Sequence, residues 1–256
     1  MIQRRTIDLN ADLGEYSGLA GASRDAAILD VVTSANIACG VHAGDREVMQ
    51  RTVDAAFSRG VAIGAHPSFP DREGFGRREI EISPAALSDE IVSQVEALCE
   101  CCGSAGARLQ YVKPHGALYN VATREEGVAR VIAEAVRRVD ASLVLLGLFG
   151  SPMIVEGERA ALIVATEGFP DRGYLADGTL VPRSREDAVL HDAKTVATRA
   201  IKMARDGYVE SADGTRVVVS PDSLCIHGDN PEALELVRAT REALEASGLI
   251  IASFVR

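Results

Sequence analysis

The chain predicts an α/β fold that closes into a seven-stranded (β/α) TIM-like barrel. Three observations predict it. Seven short apolar runs alternate with helical patterns along 256 residues, the rhythm of a parallel sheet built from strand–helix units. Four of the five histidines stand at or just after the end of such a run: SANIACGVH ends at His42, GVAIGAH at His66, LQYVKPH at His115 and SLCIH at His227. Polar residues follow nearly every run. That pattern favours a closed barrel, with all strand C-termini on one rim, over an open sheet with a single switch point.

The predicted strands, in order, are Thr6–Asn10, Ala35–Ala38, Val61–Ala65, Leu109–Lys113, Leu143–Leu146, Leu162–Thr166 and Ser223–His227. Between them, helical spacing runs over Asp25–Val32, Arg46–Arg59, Pro84–Cys102, Glu125–Val139, Arg185–Arg205 and Pro231–Ser247. Asp45 suits the N-cap of the second helix; Ser83, with Pro84 at the first helical position, suits the third. Asp229 or Asn230 would cap the last. His191 falls inside a helical pattern and reads as surface. Two stretches carry Asp-Gly turns, near 174–183 and 208–220, and read as small hairpins on a single barrel domain spanning 1–256.

The chain is 47% hydrophobic and 25% charged, the balance of a globular protein with a large core. A formal charge of −10 argues against nucleic acid or an anionic membrane as a partner. No segment approaches the ~20 apolar residues of a membrane span, and the N-terminus lacks the apolar core of a signal peptide. A cytoplasmic location is the expectation. The five cysteines show neither an even count nor a ligand spacing, so no disulfide framework is expected. Lysine is rare: Lys113, Lys194 and Lys202 are the whole set. Lys113 stands apart because it sits at a strand end.

The candidate chemistry lies in the segments after the strands. Asn10, Asp12 and Glu15 crowd the link after the first; the acids suit a general base, a metal ligand or an ammonium acceptor, or else an ordinary capping turn. His42 follows the second strand. His66 is stiffened by Pro67, and the loop after it carries Arg72, Arg77 and Arg78 among glycines, as an anion clamp would. Lys113-Pro114-His115-Gly116-Ala117-Leu118-Tyr119-Asn120 is the densest run. A fixed charge and a transferable proton stand there within reach of a polarised oxygen. Glu167 ends the sixth strand. Arg172 follows on a turn, ready to bind a carboxylate or to pair with Asp171. His227 and Asp229 close the set, beside the amides that open a helix. Walker A, G-x-G-x-x-G, H-E-x-x-H and G-x-S-x-G motifs are absent.

At these residues the sequence resembles the LamB/YcsF family, the A subunits of prokaryotic ATP-dependent 5-oxoprolinases. The matching stretches are DLNADLGE (8–15), ANIACGVHAGD (35–45), GAHPSFPDREGFGRR (64–78), YVKPHGALYN (111–120), EGFPDRGYLADGTLVPR (167–183) and CIHGDNP (225–231). The resemblance implies a barrel of the glycoside hydrolase/deacetylase type. It implies opening of the lactam ring of 5-oxoproline to L-glutamate, coupled to ATP hydrolysis through the complex with subunits B and C. In that chemistry the partners would activate the lactam oxygen and this chain would open the ring. Asp12 or Glu15 would act as base and Lys113 as oxyanion partner. His115 or His66 would act as acid, with Arg172 or an arginine of 72–78 on the substrate carboxylate. Asn10, Tyr119, Asn120, Glu167 and Asp229 would complete the binding surface. An alternative is a metal-dependent amide hydrolase or deacetylase acting without ATP, with a divalent ion on Asp12, His42 and His66. A non-enzymatic binding role is the third reading.

Overall fold

The computed structural model describes residues 6–227 and 232–255. Its centre is a ring of parallel strands: β1 (Thr6–Leu13), β2 (Ser34–Ala38), β3 (Ala62–His66), β4 (Tyr111–Val112), β5 (Val144–Leu148) and β6 (Ile163–Gly168) pair in sequence order. After a short antiparallel hairpin, β7 (Tyr208–Glu210) with β8 (Arg216–Val218), strand β9 (Ser223–Ile226) inserts between β6 and β1 and closes a seven-stranded barrel. A last strand, β10 (Ile250–Ile251), adds to the start of β1 outside the ring.

Helices α1 (Gly18–Leu29), α2 (Arg46–Ser58), α3 (Pro84–Ser104), α4 (Gly116–Ala122), α5 (Glu126–Val139), α6 (Pro152–Arg159), α7 (Ala193–Ile201) and α8 (Ala233–Ala246) accompany the strands. Asp45 caps α2 by accepting from the Val48 amide, and Ser83 caps α3 by accepting from the Ala86 amide, as their sequence positions predict. No helix among the described residues is long and apolar enough to cross a membrane.

Three differences from the sequence expectation have local causes. Strand β1 continues past its expected end at Asn10 to Leu13, so Asp12 lies on the strand and not in the link after it. Leu9, Ala11 and Leu13 carry the apolar alternation, while Asp8, Asn10 and Asp12 occupy the opposite face. The expected helix over Arg185–Arg205 is interrupted. A 3₁₀ turn covers Glu186–Ala188, α7 starts only where Asp192 accepts from the Thr195 amide, and a π turn over Lys202–Asp206 ends at Gly207. His191 therefore sits before the cap rather than inside a helix, with its side chain 61% exposed. The short helices α4 and α6 are additions that the periodicity does not reveal, being too brief to repeat a face.

The barrel interior is divided. On one side Ala62, Tyr111, Val144, Leu146 and Ala165 form an apolar cluster against Phe254 and Val255. On the other, Asp8, Asn10, Asp12, Ser34, Asn36 and Ser223 are buried and bonded to one another. Tyr111 joins the halves: its hydroxyl donates to Asn36 Oδ1 at 2.7 Å. Its ring lies directly over Gly64, where a Cβ would stand 2.1 Å from Tyr111 Cε2. The Tyr111–Asn36 bond runs from β4 to β2, which are not neighbours, so these side chains meet across the barrel lumen.

Candidate active site at the C-terminal rim of the barrel

The strand ends open into a cavity of about 600 Å³. Asp12 enters it from β1 and Glu15 from the link that follows. His66 is the last residue of β3, Lys113 and His115 follow β4, and His227 follows β9; all six line the cavity. Arg77, Tyr119, Asn120 and Arg172 line it as well. Of the remaining predicted residues, Asn10 lies beneath Lys113, and Glu167 is buried under the floor with its carboxylate 3.1 Å from Lys113 Nζ. Asp229 lies outside the described residues.

Lys113 is the hub. Its Nζ stands 3.3 Å from Asp12 Oδ1, 3.3 Å from Asn10 Oδ1 and 3.0 Å from Cys225 Sγ. Burial opposes its charge, yet Asp12, Cys225 and Glu167 hold its pKa well above the ordinary lysine value. Burial alone would push the Asp12 carboxyl up; Lys113 and His66 outweigh it and hold it well below the usual carboxylate range. Burial pushes the Cys225 thiol well up, so it stays a neutral donor–acceptor.

The histidines are locked by backbone carbonyls. His66 Nδ1 donates to Lys113 O at 2.7 Å, and His115 Nε2 donates to Phe75 O at 2.9 Å. A carbonyl oxygen only accepts, so each of these nitrogens must carry its ring's proton. The remaining nitrogens, His66 Nε2 and His115 Nδ1, then face each other as lone pairs 3.0 Å apart. Asp12 Oδ1 is 3.4 Å from the first and Glu15 Oε1 is 3.7 Å from the second. Two lone pairs at that separation need a proton or a cation between them. The ligand atoms of Asp12, Glu15, His66 and His115 lie within 4.8 Å of one another, and this N₂O₂ donor set fits a divalent cation.

That set corrects the expected one of Asp12, His42 and His66. His42 stacks on His115, ring centroids 3.9 Å apart and planes 6° apart, with Nε2 3.4 Å from Glu15. Burial, with His66 nearby, pushes its pKa down to about 3. His42 is a neutral wall behind the cluster. Phe75 completes that wall, edge-on to His42 and His115, from a left-handed backbone (φ 57°) that aims its carbonyl at His115.

The arginines divide. Arg72 does not line the cavity: its guanidinium donates to Gly40 O and Gly44 O and ties down the link after β2. Arg78 is committed to Asp71. Only Arg77 of the predicted clamp reaches the cavity. Arg172 does not bond to Asp171. It donates through Nε to Ala188 O at 2.9 Å and through one terminal nitrogen to Val181 O at 2.7 Å. Its other terminal nitrogen keeps two N–H donors. Burial, then Arg183 and Arg77, lower its pKa to about 10.

Asp171 belongs instead to His227. Its Oδ2 accepts from the ring Nδ1 at 2.9 Å and from the backbone amide of His227 at 3.1 Å. Burial would raise the Asp171 carboxyl; the His227 charge and these bonds hold it below the ordinary value. Phe169 stacks on the His227 ring at 5.3 Å. Sequence reasoning misses Asp171 because its neighbour Arg172 looks like its partner.

A family model described as the LamB/YcsF family matches residues 7–256. The chain belongs to the LamB/YcsF family. One LamB/YcsF relative, the A subunit of 5-oxoprolinase from Bordetella parapertussis, is 50% identical over 245 residues, covering 96% of this chain and 97% of that one. The lactam utilization protein from Thermus thermophilus superposes with a TM-score of 0.90 at 44% identity, covering 97% of this chain and all of that one. A T48 deacetylase shares only the fold, with a TM-score of 0.52 at 13% identity over 97% of this chain and 88% of that one. The LamB/YcsF barrel thus stands among deacetylase-type barrels, as the sequence predicts.

Proposed function

We propose that this chain is the A subunit of an ATP-dependent 5-oxoprolinase and opens the lactam ring at the rim cavity. The observation that carries the reading is the full-length match, at 50% identity, to the A subunit of a 5-oxoprolinase. The rim geometry supports specific roles. A lactam is a poor electrophile because amide resonance stabilises it. We assign activation of its oxygen to ATP, handled by partner subunits B and C. Dependence on ATP puts the reaction in the cytoplasm.

Arg77 and the unused donors of Arg172 hold the substrate carboxylate. Lys113, fixed by Asp12 and Glu167, stabilises charge on the activated oxygen. Glu15 takes the proton from attacking water. It faces His42 and His115, which burial keeps neutral, whereas Asp12 is committed to Lys113 and Asn36. With a cation between them, His66 and His115 are unsuited to donate. His227, backed by Asp171, protonates the departing ring nitrogen. A divalent cation on Asp12, Glu15, His66 and His115 would instead polarise an oxygen and acidify a bound water, with Glu15 then a ligand and no longer the base.

That donor set also favours a second reading, metal-dependent amide hydrolysis without ATP. One assay separates them: glutamate release from 5-oxoproline by this chain alone and with subunits B and C, with and without ATP, before and after chelation. The proposal expects release only with partners and ATP. Release by the chain alone, lost on chelation and indifferent to ATP, would establish the second reading instead.

A further inference from the structure

Below the reacting groups lies a carboxylate that the proposed reaction never touches. Asp8 is fully buried at the far end of the polar half of the lumen. It accepts from Thr33 Oγ1 at 2.6 Å, from Ser34 Oγ at 2.6 Å and from the Ser223 hydroxyl. Three hydroxyl donors and, among the described residues, no acceptor meet it, the surroundings of an ionised carboxylate, although burial raises its pKa to about 6.

An ionised carboxylate can only accept hydrogen bonds. The Ser223 proton is therefore committed to Asp8, leaving only lone pairs for Asn10. Asn10 must turn its amide nitrogen to Ser223, and Nδ2 stands 2.6 Å from Oγ. That choice sends Asn10 Oδ1 the other way, to Lys113 Nζ at 3.3 Å and Asn36 Nδ2 at 2.7 Å. Asn36 then spends its second N–H on Asp12 Oδ1 at 2.8 Å and offers its oxygen to the Tyr111 hydroxyl at 2.7 Å. Every link has one permitted direction because an acceptor-only group stands at each end. Amides pass protons poorly, so the chain stores orientation and does not conduct.

We propose that Asp8 is a positioning residue: through Ser223 it fixes the amide faces of Asn10 and Asn36 that hold Lys113 and Asp12 in place. The kinetic consequence rests on the ring-opening role proposed above; the positioning itself does not.

The lysine count makes a direct test. In ¹⁵N-lysine protein only Lys113, Lys194 and Lys202 give side-chain signals, and Lys194→Arg and Lys202→Arg assign them. Asp8→Asn puts a donor where the hydroxyls expect an acceptor. Ser223→Ala cuts the chain but leaves Asp8 its bonds to Thr33 and Ser34, and so serves if Asp8→Asn fails to fold. Both variants should move the Lys113 signal and leave that of Lys202. In the complex with ATP, both should lower kcat for glutamate release about tenfold with KM nearly unchanged, as loss of one hydrogen bond to a charged group implies. The double variant should be no worse than the weaker single. A Lys113 signal unmoved by Ser223→Ala overturns the proposal, as do additive losses in the double variant. If the wild-type complex releases no glutamate, the functional reading fails, and the Lys113 signal alone decides the role of Asp8.

Discussion

Replacing Asp171 by asparagine isolates the proposed proton donor without touching the substrate. The wild-type carboxylate takes two bonds from His227, one from the ring at 2.9 Å and one from the backbone at 3.1 Å, with no solvent to compete. A hydrogen bond to a charged group contributes about 1.5–3 kcal/mol, which is about 10- to 150-fold if the transition state feels all of it. Asparagine keeps the shape and one accepting oxygen but supplies no counter-charge for a protonated ring. The expected result, in glutamate release by the assembled complex, is a fall in kcat within that range. KM should hold, because Asp171 lies behind His227 and does not line the cavity. Circular dichroism and an unfolding curve would verify that the variant is folded. A folded Asp171→Asn chain with wild-type kcat, or with a loss confined to KM, would remove His227 from the acid role and refute the reasoning.

Two further predictions concern stability. Asp25 is buried and accepts from the Gly14 amide at 3.1 Å, and burial raises its pKa from 3.8 to about 6. Between those values the folded state holds a proton that the unfolded state has lost, so stability falls as pH rises through that window, by at most about 3 kcal/mol. Asp25→Asn keeps the acceptor and removes the charge; urea unfolding should show it gaining on wild type between about pH 4 and 6, and a pH-independent difference would contradict this. Gly64→Ala drives a methyl into the Tyr111 ring, whose hydroxyl is anchored to Asn36, so it should cost at least about 1–3 kcal/mol in the same assay. An unchanged unfolding midpoint would show that the ring can give way.

The barrel is legible in the sequence because its signals are local. Seven apolar runs alternate with helical spacing, four of them leading into histidines, and each run becomes a strand of the ring. The bounds of β1 are harder to read: Asp12 looks like a loop residue until the lumen supplies its partners on β2 and the end of β4. That His66, Lys113, His115 and His227 share one cavity follows from strand ends alone, given closure. Which nitrogen each ring offers does not, because the locking groups are backbone carbonyls of Lys113 and Phe75, invisible to any side-chain pattern. Arg72 misleads for a related reason: it looks poised for an anion, but its guanidinium bonds to peptide oxygens. His42 is a strand-end histidine like the others, and its stacking on His115 sets it apart from the four residues whose ligand atoms could hold a cation.

We place the chemistry on the lactam at Lys113 and its neighbours. That placement is tested most directly by assembling the complex with a Lys113→Gln chain, confirming that it assembles, and measuring glutamate released from 5-oxoproline with ATP. The expected result is a loss of at least about 100-fold, the effect of removing a charge that stabilises a developing oxyanion. Turnover close to wild type in that complex would place the reaction elsewhere.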